Sequence, residues 1–178
     1  MKSSDAQIIM VPGLASPGEG HWQSRWEARL KTARWAGSAE DPPSRDGRVD
    51  TLVAAVETGD KPTVLVAHGA GVLVVAFAAP RLLGRVAGAL LVAPPDPAAP
   101  DLVAAGYGDV PRDPLPFPSL LVASTTDPGC ALAVADDLAA AWGSGFVDAG
   151  DAGRIDATSG HGPWPEGLTR FATLMSRL

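Results

Sequence analysis

The sequence predicts an α/β fold of three layers, a mostly parallel sheet with helices packed on both faces. Three observations carry that prediction. Apolar runs such as Thr63–Ala67 and Ala87–Ala93 are short, free of charge and bounded by breakers, which is how strands buried on both faces read. Stretches of helical character alternate with those runs. At 63–80 a strand, a glycine corner and an apolar helix follow one another without a spacer. The 178 residues suit one domain with its own core, spanning 1–178.

In chain order, Ile8–Val11 is the first buried strand and Glu19–Lys31 a surface helix with mixed faces. Ala33–Trp35 reads as a short strand. Glu40–Arg48 is rich in breakers and reads as a rim loop, followed by a second mixed-face helix over Val49–Thr58. Thr63–Ala67 is a strand, and Val72–Leu83 is apolar nearly all round, as a buried helix should be. Ala87–Ala93 is another strand. Pro94–Pro118 is dense in Pro, Asp and Gly and reads as a loop over the rim, with a short helical candidate near Leu102–Ala105. Ser119–Ala123 and Gly145–Asp148 complete the strands. Between them Cys130–Trp142 is an Ala-rich helix exposing Asp136 and Asp137, and the last helix follows Pro165.

Composition excludes several classes. A net charge of −6, with no basic stripe carrying interleaved aromatics, argues against nucleic-acid binding. No run of eighteen or more uncharged apolar residues offers a membrane span. The N-terminal residues lack the apolar core of a secretory signal, and the single Cys130 cannot form an internal disulfide; both fit a reducing cytoplasm. Neither a metal-ligand cluster nor a phosphate-binding Gly-Lys loop appears, so no metal and no cofactor is expected. A dinucleotide fingerprint would need a small residue at position 74, where Val74 stands.

Four segments carry a specific resemblance. Gly20-His21-Trp22-Gln23-Ser24-Arg25-Trp26-Glu27 resembles a Gly-His-Trp-Gln-x-x-Trp-Glu signature. His68-Gly69-Ala70-Gly71 resembles a His-Ser-x-Gly elbow, and Ser124 to Pro128 an acid loop of the form Ser-x-x-Asp-Pro. Gly153-Arg154-Ile155-Asp156 with Trp164-Pro165-Glu166-Gly167 is similar to Gly-His-Ile-Asn followed by Trp-Pro-x-Gly. In this order they resemble the small serine hydrolases related to retinoblastoma-binding protein and their bacterial relatives. That resemblance covers nearly the whole chain and implies an α/β-hydrolase fold without a large lid domain. It places Gly69 where the family carries its Ser nucleophile and Arg154 where it carries its base His. Asp127 keeps the position of the third triad member, and His68 that of a structural His.

The chemistry expected from such a site differs accordingly. Glycine has no atom to attack with, and arginine cannot serve as a base because it keeps its proton in proteins. Gly69 nonetheless accepts the positive-φ geometry of an elbow freely. The Ala70 N–H, with one near Gly13 or Leu14, is expected to keep the oxyanion hole. Arg154 is expected opposite Asp127, giving the pocket a permanent positive charge suited to a carboxylate- or enol-bearing small molecule. His21 with Trp22 and Trp26 is expected to anchor the first helix over the rim, since aromatic clusters usually serve packing, and His21 is also a candidate for the floor of the pocket mouth. His161 is the nearest spare base by sequence distance. Asp127, Arg154 and His161 are thus the catalytic candidates; Gly13, Leu14, His21, Trp22, His68, Gly69 and Ala70 are the substrate-binding ones. Cys130 reads either as a thiol activated at a helix start or as a buried one. Three functions remain open: a non-hydrolytic enzyme performing cyclisation, elimination or isomerisation, a pseudo-hydrolase that only binds a ligand or a protein, and a hydrolase with relocated catalysts such as Ser159 or Ser16 with His161.

Overall fold

The computed structural model describes residues 1–37 and 44–178. Six parallel strands form one sheet: β1 (Gln7–Val11), β2 (Ala33–Trp35), β3 (Thr63–His68), β4 (Val86–Val92), β5 (Ser119–Ala123) and β6 (Gly145–Asp148), in the order β2-β1-β3-β4-β5-β6. Register is close to ideal at the centre, with Met10 opposite Val66 and Val66 opposite Leu90. The central strands are rich in Val, Ile and Leu because side chains on both faces are covered. Successive residues therefore feed two cores. Ile9, Leu65 and Leu91 point into one, closed by α2 (Arg45–Glu57), α3 (Ala70–Ala78) and α5 (Leu132–Trp142). Ile8, Val64 and Leu90 point into the other, closed by α1 (Trp22–Arg29) and α6 (Pro165–Arg177). This is a three-layer α/β-hydrolase-type fold without a large lid domain.

Helix limits follow local chemistry. The helix expected over Glu19–Lys31 begins only at Trp22, where the Gln23 N–H donates to His21 Nδ1. The helix expected over Val49–Thr58 starts earlier, because Ser44 Oγ accepts from the Gly47 N–H. The expected rim loop Glu40–Arg48 is corrected in its second half, since Arg45–Arg48 are helical; residues 40–43 lie outside the described residues. α3 starts directly after Gly69 and stops at Ala78, short of the expected Leu83. Pro80 cannot donate within a helix, and the chain tightens into a 3₁₀ turn at Ala79–Arg81. The short helix in the long loop is α4 (Pro100–Ala104). α5 shows its spacing plainly, burying Ala135, Leu138, Ala139 and Trp142, and ends on Gly143 at φ 65°. Among the described residues, no helix is long and apolar enough to cross a membrane.

Topology decides where a ligand can go. From β1 the chain moves outward to β2, then returns to β3 on the other side of β1. The crevice beyond the carboxyl ends of β1 and β3 is therefore the switch point of the sheet, the usual site in open α/β folds. Pro12-Gly13 leaves β1 there, and His68-Gly69 leaves β3 there.

Candidate active site

A cavity of ≈ 740 Å³ opens at that crevice. Its wall includes Gly13 and Leu14 after β1, His68, Gly69 and Ala70 after β3, and Asp127 and Arg154 from the loops after β5 and β6. The corner residue Gly69 has φ 57° and ψ −133°, a region closed to most residues with a side chain. Its N–H donates to Val92 O (3.0 Å), and its carbonyl accepts from Val72 N–H. Gly71 answers a different constraint. A Cβ there would run into the Val11 carbonyl and sit 2.6 Å from the Pro12 carbonyl oxygen, so only glycine lets α3 approach the end of β1. Ala70 is the first residue of α3, so its N–H has no intrahelical acceptor.

The acid loop is held by Ser124. Its hydroxyl donates to Gly150 O (2.9 Å) and accepts from the Thr126 and Ala152 N–H groups, which makes Ser124 structural. Asp127 Oδ1 accepts from the Gly129 N–H at 2.7 Å, and Arg154 Nε stands 4.0 Å from the same oxygen. Burial pushes the Asp127 carboxyl above its ordinary range, with the Gly129 N–H and Arg154 opposing. The Asp127 side chain is 6% exposed and the Arg154 side chain 59%. Arg154 thus faces Asp127 at arm's length from the cavity edge, without the bidentate contact its chemistry permits.

The loop bearing Arg154 is bent sharply. Gly153 has φ 54°, and a Cβ on it would meet Ser159 Cβ at 2.7 Å. Ile155 has φ 50°, an outlier for a β-branched residue. It is fully buried, and its carbonyl accepts from Trp22 Nε1 at 2.8 Å. Trp22, also a substrate-binding candidate, does not line the cavity and belongs instead to the packing that its aromatic string suggested. Trp22 is fully buried beneath the site, edge-on to Trp26, and acts through Ile155.

Both histidines of the cavity are neutral donors. His21 Nδ1 accepts from the Gln23 N–H, so the neutral ring carries its proton on Nε2. Burial and the neighbouring His68 ring lower its pKa to about 4. His68 Nε2 lies 2.8 Å from Arg154 O; a carbonyl only accepts, so this nitrogen too is protonated. Burial lowers the His68 pKa as well. The two rings meet edge-on with centroids 4.8 Å apart.

His161 does not line the cavity, and neither does Ser159. Their nearest atoms are 3.4 Å apart, yet Ser159 Oγ is tied to Asp156, whose Oδ1 it meets at 3.0 Å. Burial alone would raise the Asp156 carboxyl, but donors from Thr158 and Ser159 hold it below its ordinary range. Ser16 lines the mouth and, among the described residues, bonds to neither cavity histidine. Cys130 precedes α5 by two residues and is buried, which pushes its thiol up to about 12 and settles the open choice in favour of a packed thiol. Sequence reasoning missed Asp101, brought to the wall by α4, and Arg48, which stands behind Pro12-Gly13. Neither carries a local signal, because their partners are distant in sequence.

Three carboxylates (Asp101, Asp127, Asp156) and one guanidinium line the cavity, and the histidines are neutral. The Arg154 guanidinium, expected to give the pocket a permanent positive charge, therefore stands among carboxylates. Among the described residues, no group of three or more His, Cys, Asp or Glu is arranged to hold a metal ion.

A family model described as serine hydrolase matches residues 8–173. A structure described as a YdeN-like hydrolase from Pectobacterium atrosepticum is 32% identical and superposes with a TM-score of 0.87, over 97% of this chain and 91% of that one. The YdeN gene product of B. subtilis shares the fold at 19% identity and a TM-score of 0.78, over 96% and 99%. A hydrolase of the α/β superfamily from Xanthomonas campestris does so at 20% and 0.64, over 98% and 99%. No curated protein matches the chain.

Proposed function

Starting from the fact that the chain belongs to the serine hydrolase family, we propose that it is a member without hydrolytic chemistry, an enzyme that moves a proton beside a carbonyl. The observation that carries this reading is a corner with no hydroxyl, Gly69, in an open cavity that keeps a free amide at Ala70 and a buried carboxylate at Asp127. In this reading a neutral ketone or related carbonyl compound places its oxygen at the Ala70 N–H and the N–H groups of Gly13 and Leu14. Asp127 takes the proton from the adjacent carbon. The C–H electron pair forms the C=C bond, and the carbonyl pair moves to oxygen, where the amides hold the enolate. Return of the proton elsewhere gives isomerisation, loss of a β-substituent gives elimination, and attack by the enolate carbon gives cyclisation. A carboxyl raised by burial is better matched to that transfer than one in its ordinary range. Arg154 steadies the ionised acid, and the His21 Nε2–H orients the ligand.

The test is proton exchange. Simple ketones such as 1-indanone are incubated with the protein in D₂O, and loss of the α-proton signal is followed by NMR. Exchange above the Asp127→Asn control supports the reading. Clean labelling of one serine by a fluorophosphonate probe, with ester turnover, overturns it in favour of relocated hydrolytic groups. A second reading, binding without turnover, draws on the guanidinium near Asp127; saturable ketone binding with no exchange would select it.

A further inference from the structure

We infer that Arg48 is the positioning residue of the amide cradle, aiming its N–H groups into the cavity from behind; this rests on the cradle reading given above. Arg48 lies in the first turn of α2 and is absent from the cavity wall. Its Nη2 donates to Pro12 O and, at 2.9 Å, to Gly13 O; its Nη1 lies 3.2 Å from the hydroxyl of the fully buried Tyr107. These bonds span 36 and 35 residues of chain, so nothing local imposes them.

Two consecutive carbonyls turned to one guanidinium fix two consecutive peptide planes. In a trans peptide the C=O and the following N–H point in opposite directions. With Pro12 O and Gly13 O facing Arg48, the N–H groups of Gly13 and Leu14 face away from it. Gly13 and Leu14 both line the cavity and Arg48 does not, as that orientation requires. Gly13 also sits beside the corner, its Cα 3.7 Å from the point where a Gly69 side chain would begin. Arg48 thus does for the strand β1 side of the cradle what the start of α3 does for Ala70. A loop with no helix to orient it takes its direction from a fork of donors that holds adjacent carbonyls together.

The test uses an anion and its neutral counterpart of nearly the same shape, 4-nitrophenolate and 4-nitroanisole, with binding to the wild-type protein and to Arg48→Met followed by the nitrophenyl absorbance. The expected result is about 10- to 100-fold weaker phenolate binding in Arg48→Met, the effect of losing hydrogen bonds to a charged group, with nitroanisole binding unchanged. Arg48→Lys, which keeps donors but not the fork, should recover part of the loss. Equal weakening of both probes, or of neither, overturns the assignment while leaving the cradle intact. If the wild-type protein shows no preference for phenolate, the cradle itself fails and Arg48 has nothing to aim. Should Arg48→Met not unfold cooperatively, the same ratio measured on Arg48→Lys against wild type decides, and a ratio identical to wild type there refutes the fork.

Discussion

Placing a hydroxyl at the Gly69 corner is the most direct perturbation of the proposed reading. In Gly69→Ser the new Cβ would meet Gly13 Cα at 3.7 Å, an ordinary contact, so space is not the obstacle. The cost is conformational, because φ 57° and ψ −133° are held by the Gly69 N–H to Val92 O and by the start of α3. Forcing a side chain into such a region costs about 1–3 kcal/mol. For a chain of this length, 1 kcal/mol lowers Tm by about 2–4 °C, so a drop of roughly 2–12 °C is expected. Urea unfolding at unchanged slope checks it. Catalytically Gly69→Ser should be silent towards esters, since both cavity histidines carry their protons on Nε2, His21 Nδ1 is occupied, and Arg154, beside Asp127, cannot take a proton. Adding Arg154→His should change that. Position 154 lies against Asp127, and an imidazole there could take the serine proton while the carboxylate holds its other nitrogen. Turnover of p-nitrophenyl acetate is the assay. Turnover by Gly69→Ser alone, above a Gly69→Ala control, would show that a base is already in place. A Gly69→Ser variant as stable as wild type would show that the corner is not strained.

Two further outcomes follow from burial. Asp127→Asn should be more stable than wild type at neutral pH. A carboxyl whose native pKa lies above its unfolded value binds its proton more readily when folded, so the charged form is what folding disfavours. The advantage of Asn should shrink as pH falls through the raised native value towards 3.8, and urea midpoints at both ends measure it. An Asn variant less stable at neutral pH would mean that Arg154 outweighs burial. Trp22→Phe should cost about 1–3 kcal/mol, because it leaves the buried Ile155 carbonyl without a donor. Heteronuclear NMR should then show shifts in Arg154 and Asp156, and a loop unmoved in that variant would remove Trp22 from the support of the site.

The sheet was legible because its signals are local. Ala33–Trp35, Ser119–Ala123 and Gly145–Asp148 stand as strands with the limits the sequence suggested, since breakers and β-branched runs sit side by side in the chain. The corner was equally legible, as strand, glycine and helix are contiguous. Much of the wall was legible too, since Gly13, Leu14, His21, His68, Gly69, Ala70, Asp127 and Arg154 all line the cavity. The packing role of Trp22 was readable from its aromatic string, but its support of Ile155 was not, because its indole N–H is bound 133 residues away. Arg154 stands opposite Asp127 on the cavity wall as the sequence suggested, but at 4.0 Å, a separation that no local signal gives. Asp101 enters through the long Pro-rich loop, whose path no periodicity encodes.

The two unusual residues of the site bear on each other physically. With Arg at 154 a serine at the corner would have no imidazole beside Asp127 to take its proton, yet it would still carry the strain of a positive φ; glycine relieves that strain at no cost to the turn. Neither residue affects the cradle. Its amides belong to the first residue of α3 and to a loop whose carbonyls Arg48 holds, and the close approach of α3 to β1 depends on Gly71. In the proposed reading the side-chain chemistry at this corner is gone while the backbone keeps its capacity to hold an oxyanion. In the proposed reading, any activity of this chain must use what the backbone supplies together with the one buried acid still on the wall, and that restricts it to reactions in which charge develops on oxygen while a proton leaves carbon.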